Sequence, residues 1–132
     1  MSKLEIGDTF EVTGVVTREN TAESLGSGAL PVFGTPYLAA MMENAAYTLM
    51  QRSLPEGRTS VGTRLDISHV SPSPIGMRVR AAARVAAISE NGKIVDFEVK
   101  AYDEAGLIGE GTHQRAVVNI ERFMSKCKGK LE

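Results

Sequence analysis

The sequence has no tryptophan, one cysteine and few aromatic side chains. Because Cys127 has no partner for a disulfide within the chain, it argues against an oxidised, secreted scaffold and fits a reducing compartment. The scarcity of aromatic residues also argues against a base-stacking nucleic-acid surface. The first eight residues carry charges where a signal peptide needs an apolar segment, so we expect a cytoplasmic protein.

Long apolar runs and an excess of one charge sign are also missing. No stretch approaches the ~20 apolar residues that span a bilayer. Fifteen basic residues nearly balance sixteen acidic ones, so no general field attracts nucleic acid or an anionic membrane. The two histidines, His69 and His113, are far apart and have no cysteine or aspartate cluster, so we predict no metal site. A globular protein with a small-molecule or protein partner remains.

A chain of 132 residues fits one domain, which we assign to residues 1–132, with 127–132 as a flexible polar tail. Such a chain buries roughly two-thirds of its unfolded surface and needs no disulfide or metal for stability. Residues 9–16 alternate loosely and predict a first strand. Residues 17–34 are rich in glycine and polar residues and predict a long irregular connection, of a length that is often functional.

The clearest local signal is a helix that begins near Thr35. Threonine is a good N-cap, and Pro36 suits the first helical position, where its missing N–H costs nothing. From residue 37 to about 52 most residues are strong helix formers, and residues 53–57 end the helix. Apolar side chains lie around most of the cylinder, which predicts a buried helix: Ala39, Met42, Ala46, Leu49 and Met50.

After the helix the hydrophobic period changes to two. Prolines at 72 and 74 predict a corner, and Asn91-Gly92 is a strong hairpin signal. Four strands follow one another along the chain. Their apolar faces run from Val61 through Thr63, Leu65 and Ile67 to His69, from Met77 to Ala87, from Val95 to Ala101, and along residues 107–120.

The order is therefore a strand, a long loop, a buried helix and four consecutive antiparallel strands. A nearly all-apolar helix needs cover on most sides, and one curved meander sheet can wrap it. We predict an α+β hotdog fold, in which a curved antiparallel sheet wraps around one long central helix. A second subunit would cover the exposed side of so small a sheet, so we expect a C₂ homodimer, with a dimer of dimers as a further expectation.

Glu43 is the most informative candidate for chemistry. Its neighbours one helical turn away are three alanines and Tyr47, so its carboxylate should face the interior or a cleft. Burial of a carboxylate is costly unless it is paired or protonated, and such groups cluster at active sites. A structural glutamate bonded to a buried backbone group or to Tyr47 is the alternative interpretation.

Three further polar residues have both a structural and a functional interpretation. His69 ends an apolar strand face, where a histidine is either a satisfied core residue or a catalyst. Thr35 is an N-cap, or it lies where free helix N–H groups favour a developing oxyanion. Arg115 is an edge arginine or a clamp for a phosphate or carboxylate. Thr35 and Glu43 are about 12 Å apart along a straight helix, so they meet within one chain only if the first turn is unwound. If they share a site in a regular helix, we expect the dimer interface to bring them together.

Three motifs occur in a fixed order: Phe33-Gly34-Thr35-Pro36 followed by Glu43, Ser60-Val61-Gly62-Thr63 leading to Ser68-His69, and Gly109-Glu110-Gly111-Thr112-His113-Gln114-Arg115-Ala116-Val117. In these motifs the chain resembles the fluoroacetyl-CoA thioesterase family of hotdog proteins, from about Gly7 to Phe123. The resemblance implies hydrolysis of a short acyl-CoA thioester by a hydrolase without a cofactor. It carries catalytic roles onto Thr35, Glu43 and His69, and substrate contacts onto Gly62 and Arg115.

One segment departs from the family pattern. The fluoroacetyl-specific member carries aromatic residues before the helix, whereas residues 25–30 here are Leu-Gly-Ser-Gly-Ala-Leu and only Phe33 remains. We therefore predict a short-chain acyl-CoA thioesterase that is not fluoroacetyl-selective. Two alternatives stay open: a non-catalytic acyl-CoA-binding module and a hotdog enoyl-CoA hydratase or dehydratase, the latter by fold analogy alone.

Overall fold

In the computed structural model, which describes residues 3–132, one antiparallel sheet packs against one long helix. The strands are β1 Thr9–Val15, β2 Arg58–His69, β3 Arg78–Ile88, β4 Ile94–Asp103 and β5 Gly106–Asn119. The helices are α1 Ala22–Leu25, α2 Thr35–Gln51 and α3 Ile120–Lys128. The predicted α+β architecture, a curved antiparallel sheet with a long helix against it, is confirmed.

The order of strands across the sheet is β1-β3-β4-β5-β2. The expectation that four consecutive strands are neighbours was wrong at β2, which pairs with β5 and not with β3. The segment after β2 forms no hairpin because it bonds elsewhere: the amides of Val70 and Ser71 donate to Ile108, and that of Gly76 to Val16. Strand β2 is therefore an edge strand.

The connection between β1 and α2 is more ordered than the sequence suggested. It contains a short 3₁₀ helix, Arg18–Asn20, and then α1. Asn20 is buried; its side-chain amide donates to Val15, and its carbonyl accepts from the Gly34 amide. The connection thus folds back against the start of α2.

Helix α2 buries one face against the sheet. Its buried side chains are Leu38, Met41, Met42, Ala45, Ala46, Leu49 and Met50. They meet the inward residues of β3 and β4, where alternate positions from Val79 to Val85 and from Val95 to Ala101 are buried. The opposite face, with Ala40 and Tyr47, is exposed, so within residues 3–132 the sheet covers the helix on one side only.

The C-terminal residues form structure that the sequence analysis did not predict. Asn119 caps α3, since its side-chain oxygen accepts from the Arg122 amide. The tail predicted at 127–132 begins in the last turn of this helix, and its flexibility stays a prediction.

No helix among residues 3–132 combines the length and apolar character needed to cross a membrane. These residues also form no metal-binding group of three or more histidine, cysteine or acidic side chains.

Candidate active site

The start of α2 holds Thr35 in a different role from the one expected. Gly34, with extended backbone, is the N-cap, and Thr35 is the first helical residue. The prediction of Thr35 as N-cap was therefore wrong. Its hydroxyl does not cap the helix but lies 2.7 Å from Nδ1 of His69, at the end of β2.

His69 faces a cleft of about 280 Å³ lined by the connection before α2 and the segment after β2. Phe33 meets the imidazole edge-on, with ring centroids 6.4 Å apart. Nε2 of His69 is buried and has no hydrogen-bond partner within residues 3–132. Burial lowers the pKa of His69 below its ordinary value, and a weaker interaction with the Ser71 backbone raises it only in part. The imidazole is therefore neutral near pH 7, with one nitrogen tethered to Thr35.

A bulge divides β2 into two halves. The register with β5 shifts between Gly62 and Arg64, so Thr63 is the extra residue. The shift contradicts the expected face shared by Val61, Thr63 and His69. Instead, the backbone of Gly62 and the side chain of His69 both face α2, because the extra residue reverses the alternation between them.

Glu43 on α2 faces the first half of β2 across Gly62. A Cβ atom at Gly62 would lie 2.9 Å from Oε2 of Glu43 and 3.2 Å from Cε1 of His113. The first distance is shorter than real Cβ contacts allow. The glycine therefore leaves room for the carboxylate to approach the β2 backbone.

Arg115 on β5 lies beneath this carboxylate in a buried network. Its Nε and Nη2 donate to Oγ and the carbonyl of Ser60, at 2.8 and 3.0 Å. Its Nη1 lies 3.1 Å from Nε2 of His113, whose Nδ1 is 2.7 Å from the Arg64 carbonyl. Because a carbonyl only accepts, Nδ1 of His113 carries the proton and Nε2 accepts from Arg115.

The charges in this network have defined effects. Burial lowers the pKa of His113, and the Arg115 charge lowers it further. The hydrogen bond with the Arg64 backbone and the charge of Glu43 raise this pKa but do not outweigh the lowering. Burial also lowers the pKa of Arg115, while Glu43 and Tyr47 raise it. Three of the five guanidinium N–H groups serve Ser60 and His113, so Arg115 is held within the protein. Its role as a substrate contact stays a prediction.

The predicted residues thus fall into two clusters within one chain. Thr35 and His69 meet directly, and Glu43, Gly62 and Arg115 meet around the first half of β2. Eight helical residues, about 12 Å, separate Thr35 from Glu43, so one chain does not unite the clusters.

Sequence reasoning missed Ser60 and His113 as partners of Arg115. His113 lies two residues from Arg115 on one strand, so alternation was a signal that the two share a face. Ser60 had no such signal, because it reaches Arg115 through the long-range pairing of β2 with β5. Tyr47 was considered only as a partner of Glu43; its ring lies 5.8 Å from the Arg115 guanidinium.

Comparison with known proteins assigns the chain to a family. Residues 16–121 match the family model described as fluoroacetyl-CoA-specific thioesterase, FlK. A fluoroacetyl-CoA thioesterase of Streptantibioticus cattleyicolor is 33% identical, with 96% of this chain and 94% of the relative covered. A solved structure of the fluoroacetyl-CoA thioesterase FlK superposes with a TM-score of 0.91, 29% identity and 98% coverage of both chains. A hot-dog-like protein from Thermanaerovibrio acidaminovorans, 24% identical, superposes with a TM-score of 0.87 over 96% of this chain and 93% of its own, and supports the predicted hotdog fold.

Proposed function

Because this chain belongs to the fluoroacetyl-CoA-specific thioesterase family, we propose that it hydrolyses the thioester of a short-chain acyl-CoA to the free acid and CoA. The observation that carries the proposal is the Thr35–His69 hydrogen bond, which holds a neutral, half-buried imidazole beside a cleft. Thioester hydrolysis needs a base for water and an acid for the departing thiolate, and a neutral imidazole can serve as both in turn.

The hydrogen bond between Thr35 and Nδ1 of His69 determines which imidazole nitrogen can transfer protons. If Nδ1 donates its proton to Thr35 Oγ1, Nε2 keeps a lone pair that has no hydrogen-bond partner within residues 3–132 and that can act on a water molecule admitted to this buried atom with the substrate. Nε2 takes the proton as the water oxygen attacks the thioester carbonyl. The same proton then passes to the thiolate as the carbon–sulfur bond breaks, which yields the acid and CoA.

Glu43 has two chemically distinct roles in this proposal. As a positioning carboxylate or base, it orients His69 or water. As a nucleophile, it attacks the carbonyl, expels the thiolate and leaves an anhydride that water hydrolyses. In a single turnover in ¹⁸O-labelled water, ¹⁸O in the Glu43 side chain would support the nucleophilic role, since only water attack on the Glu43 carbonyl of the anhydride places it there. In either route, the Gly62 N–H would steady the carbonyl oxygen.

The active enzyme in this proposal is a homodimer joined through β2. In the part of the chain that the structure describes, one edge of β2 is unpaired, and an unpaired edge readily pairs with another strand. The exposed face of α2, with Ala40 and Tyr47, lies uncovered above the sheet. In a two-fold pair of antiparallel β2 strands, the Gly62 end of one strand approaches the His69 end of the other. Glu43 of each chain would then complete the Thr35–His69 pair of its partner.

The acyl group is proposed to be short but not fluoroacetyl-specific. Among residues 3–132, Phe33 is the only phenylalanine, tyrosine or tryptophan that lines the cleft beside His69, and the residues around it include Ala22, Ser27 and Val32. Without further rings to enclose the acyl group, we expect similar kcat/KM values for fluoroacetyl-CoA and acetyl-CoA. A ratio above about a hundred, or ~2.7 kcal/mol of discrimination, would contradict this.

The direct test is thiol release from a panel of short acyl-CoA esters, with Glu43→Ala as the control. Release by the wild-type chain that is abolished in the variant supports the proposal. Retained affinity for CoA esters without release, in a folded protein, would favour a binding module. Reversible addition of water to an enoyl-CoA without release would favour a hydratase.

A further inference from the structure

A basic groove lies at the end of the sheet, away from His69. It has a volume of about 300 Å³ and lies between β2, the β3–β4 turn, β5 and α3. Four cationic side chains line it, and no carboxylate does: Arg58, Lys93, Arg122 and Lys126. The aromatic ring of Phe123 also lines the groove and is 41% exposed.

Within residues 3–132, none of these four cations forms an ion pair. The two ion pairs among residues 3–132, Arg80–Glu11 and Arg84–Glu98, lie elsewhere on the sheet. Arg122 and Lys126 are one helical turn apart on α3, where like charges repel each other. The chain as a whole is close to neutral, so the cluster is local. A bound anion of several charges would relieve the repulsion.

The groove also lies at a suitable distance from the candidate active site. Arg58 pairs with Asn119 at its rim, and four residues further along β2 Gly62 pairs with Arg115. Four strand residues span about 13 Å. The pantetheine arm of CoA has the covalent length of about four extended amino-acid residues, roughly 15 Å. A thioester at Gly62 would therefore place the nucleotide end of the same molecule near the groove.

We propose that this groove binds the 3′-phosphorylated adenosine diphosphate end of the CoA ester. Its phosphates pair with Arg58, Lys93, Arg122 and Lys126, and its adenine stacks on the exposed ring of Phe123. The proposal rests on the proposed thioesterase function for the identity of the ligand. It assigns to α3 a role in substrate binding, remote from the reacting bond.

Calorimetric titration with adenosine 3′,5′-bisphosphate tests the groove directly. We expect binding that is tighter than that of adenosine monophosphate and weakens with salt, because each phosphate contact is ionic. The double variant Arg122→Gln/Lys126→Gln should bind at least tenfold more weakly, since each replaced cation removes a charge-assisted hydrogen bond. Phe123→Leu should weaken binding of the nucleotide but not of inorganic phosphate. The matched control Lys100→Gln removes an exposed cation on β4 and should change nothing.

Steady-state kinetics give a second, independent measurement. In the double variant, KM for acetyl-CoA should rise about tenfold with kcat unchanged, while KM for S-acetylpantetheine, which lacks the nucleotide, should not move. An equal rise of KM for both substrates in the double variant would overturn the inference while leaving the thioesterase proposal intact. The same rise of KM in the control Lys100→Gln would also overturn it. Binding of the bisphosphate without thiol release from any ester would contradict the proposed function and leave the nucleotide site supported. Binding of inorganic phosphate as tightly as the bisphosphate would mean a nonspecific anion site and overturn the proposal.

Discussion

Gly62 lies on the face of β2 that looks towards α2, beside the Glu43 carboxylate. The 2.9 Å between a Cβ built at this position and Oε2 of Glu43 leaves no room for a methyl group unless the carboxylate moves. Because Oε2 is the end of a flexible side chain, the movement costs little stability. A displaced catalytic group, however, costs much of the rate.

Gly62→Ala should therefore lower kcat/KM by about 10- to 100-fold while the midpoint of thermal unfolding hardly changes. Thiol release and a melting curve on the same sample measure the two effects. Gly14→Ala is the matched control, since a Cβ there makes only ordinary contacts of 3.7 Å or more. Full activity of Gly62→Ala with a normal melting curve would show that the position of Glu43 does not depend on this glycine.

The lowered pKa of His69 gives a prediction for the pH dependence of the rate. Burial disfavours the charged imidazolium, so the neutral base persists below the ordinary pKa of 6.5. We expect kcat/KM to stay constant as pH falls to about 6.5 and to decline tenfold per unit only below the lowered pKa. Any residual activity of His69→Ala should lack this acid limb. An acid limb centred above pH 6.5 in the wild-type protein would contradict the account.

At this scale the sequence predicted the candidate residues but not their partners. Glu43 could be identified from its small apolar neighbours on a helix, and Thr35, His69, Gly62 and Arg115 from the family motifs. The Thr35–His69 bond depends on where β2 ends in space. That position follows from pairing between β2 and β5, in which the paired residues lie 40 or more positions apart in the sequence.

At the scale of elements, the approach of α2 to β5 depends on Gly109. A Cβ there would lie 2.9 Å from Cδ2 of Leu38 and 3.1 Å from the carbonyl oxygen of Ser68. The Leu38 side chain can move, but the Ser68 carbonyl belongs to the backbone of β2. The glycine thus permits the helix and the edge strand to meet at the strand end that carries His69.

Gly109→Ala should destabilise the protein by about 1–3 kcal/mol, as overpacked cores do. Urea unfolding should give a lower midpoint with an unchanged slope. The control Gly14→Ala should shift the midpoint by much less, since its added methyl group meets no atom within 3.4 Å. Equal midpoints for both variants would mean that the helix moves away from β5 without cost.

Local sequence signals predicted the individual helices and strands better than they predicted which strands pair in the sheet. The helix, the Asn91-Gly92 turn and the buried alternation of β4 follow from nearest-neighbour chemistry and are confirmed. The position of β2 at the sheet edge could not be predicted, because the proline corner at 72–74 is compatible with a hairpin or a crossover. The bulge at Thr63 could not be predicted either, because the sequence alternates between apolar and polar residues without a break at this position.

For the whole molecule, a complete active site requires two chains that meet along β2. Within the described residues, each chain leaves the outer edge of β2 unpaired and one face of α2 uncovered. Each also separates Glu43 from the Thr35–His69 pair by about 12 Å along α2. Association of two copies would resolve all three features, and we expect a particle of twice 14.2 kDa in solution.

The most direct test of this claim is to mix Glu43→Ala and His69→Ala chains by refolding them together and to measure thiol release. Each variant alone should be nearly inactive. If Glu43 serves the His69 of its partner, every mixed dimer contains one intact site, and random pairing restores about a quarter of the wild-type activity. If the mixture forms mixed dimers, verified by two different affinity tags, and stays as inactive as its parents, the shared active site is contradicted.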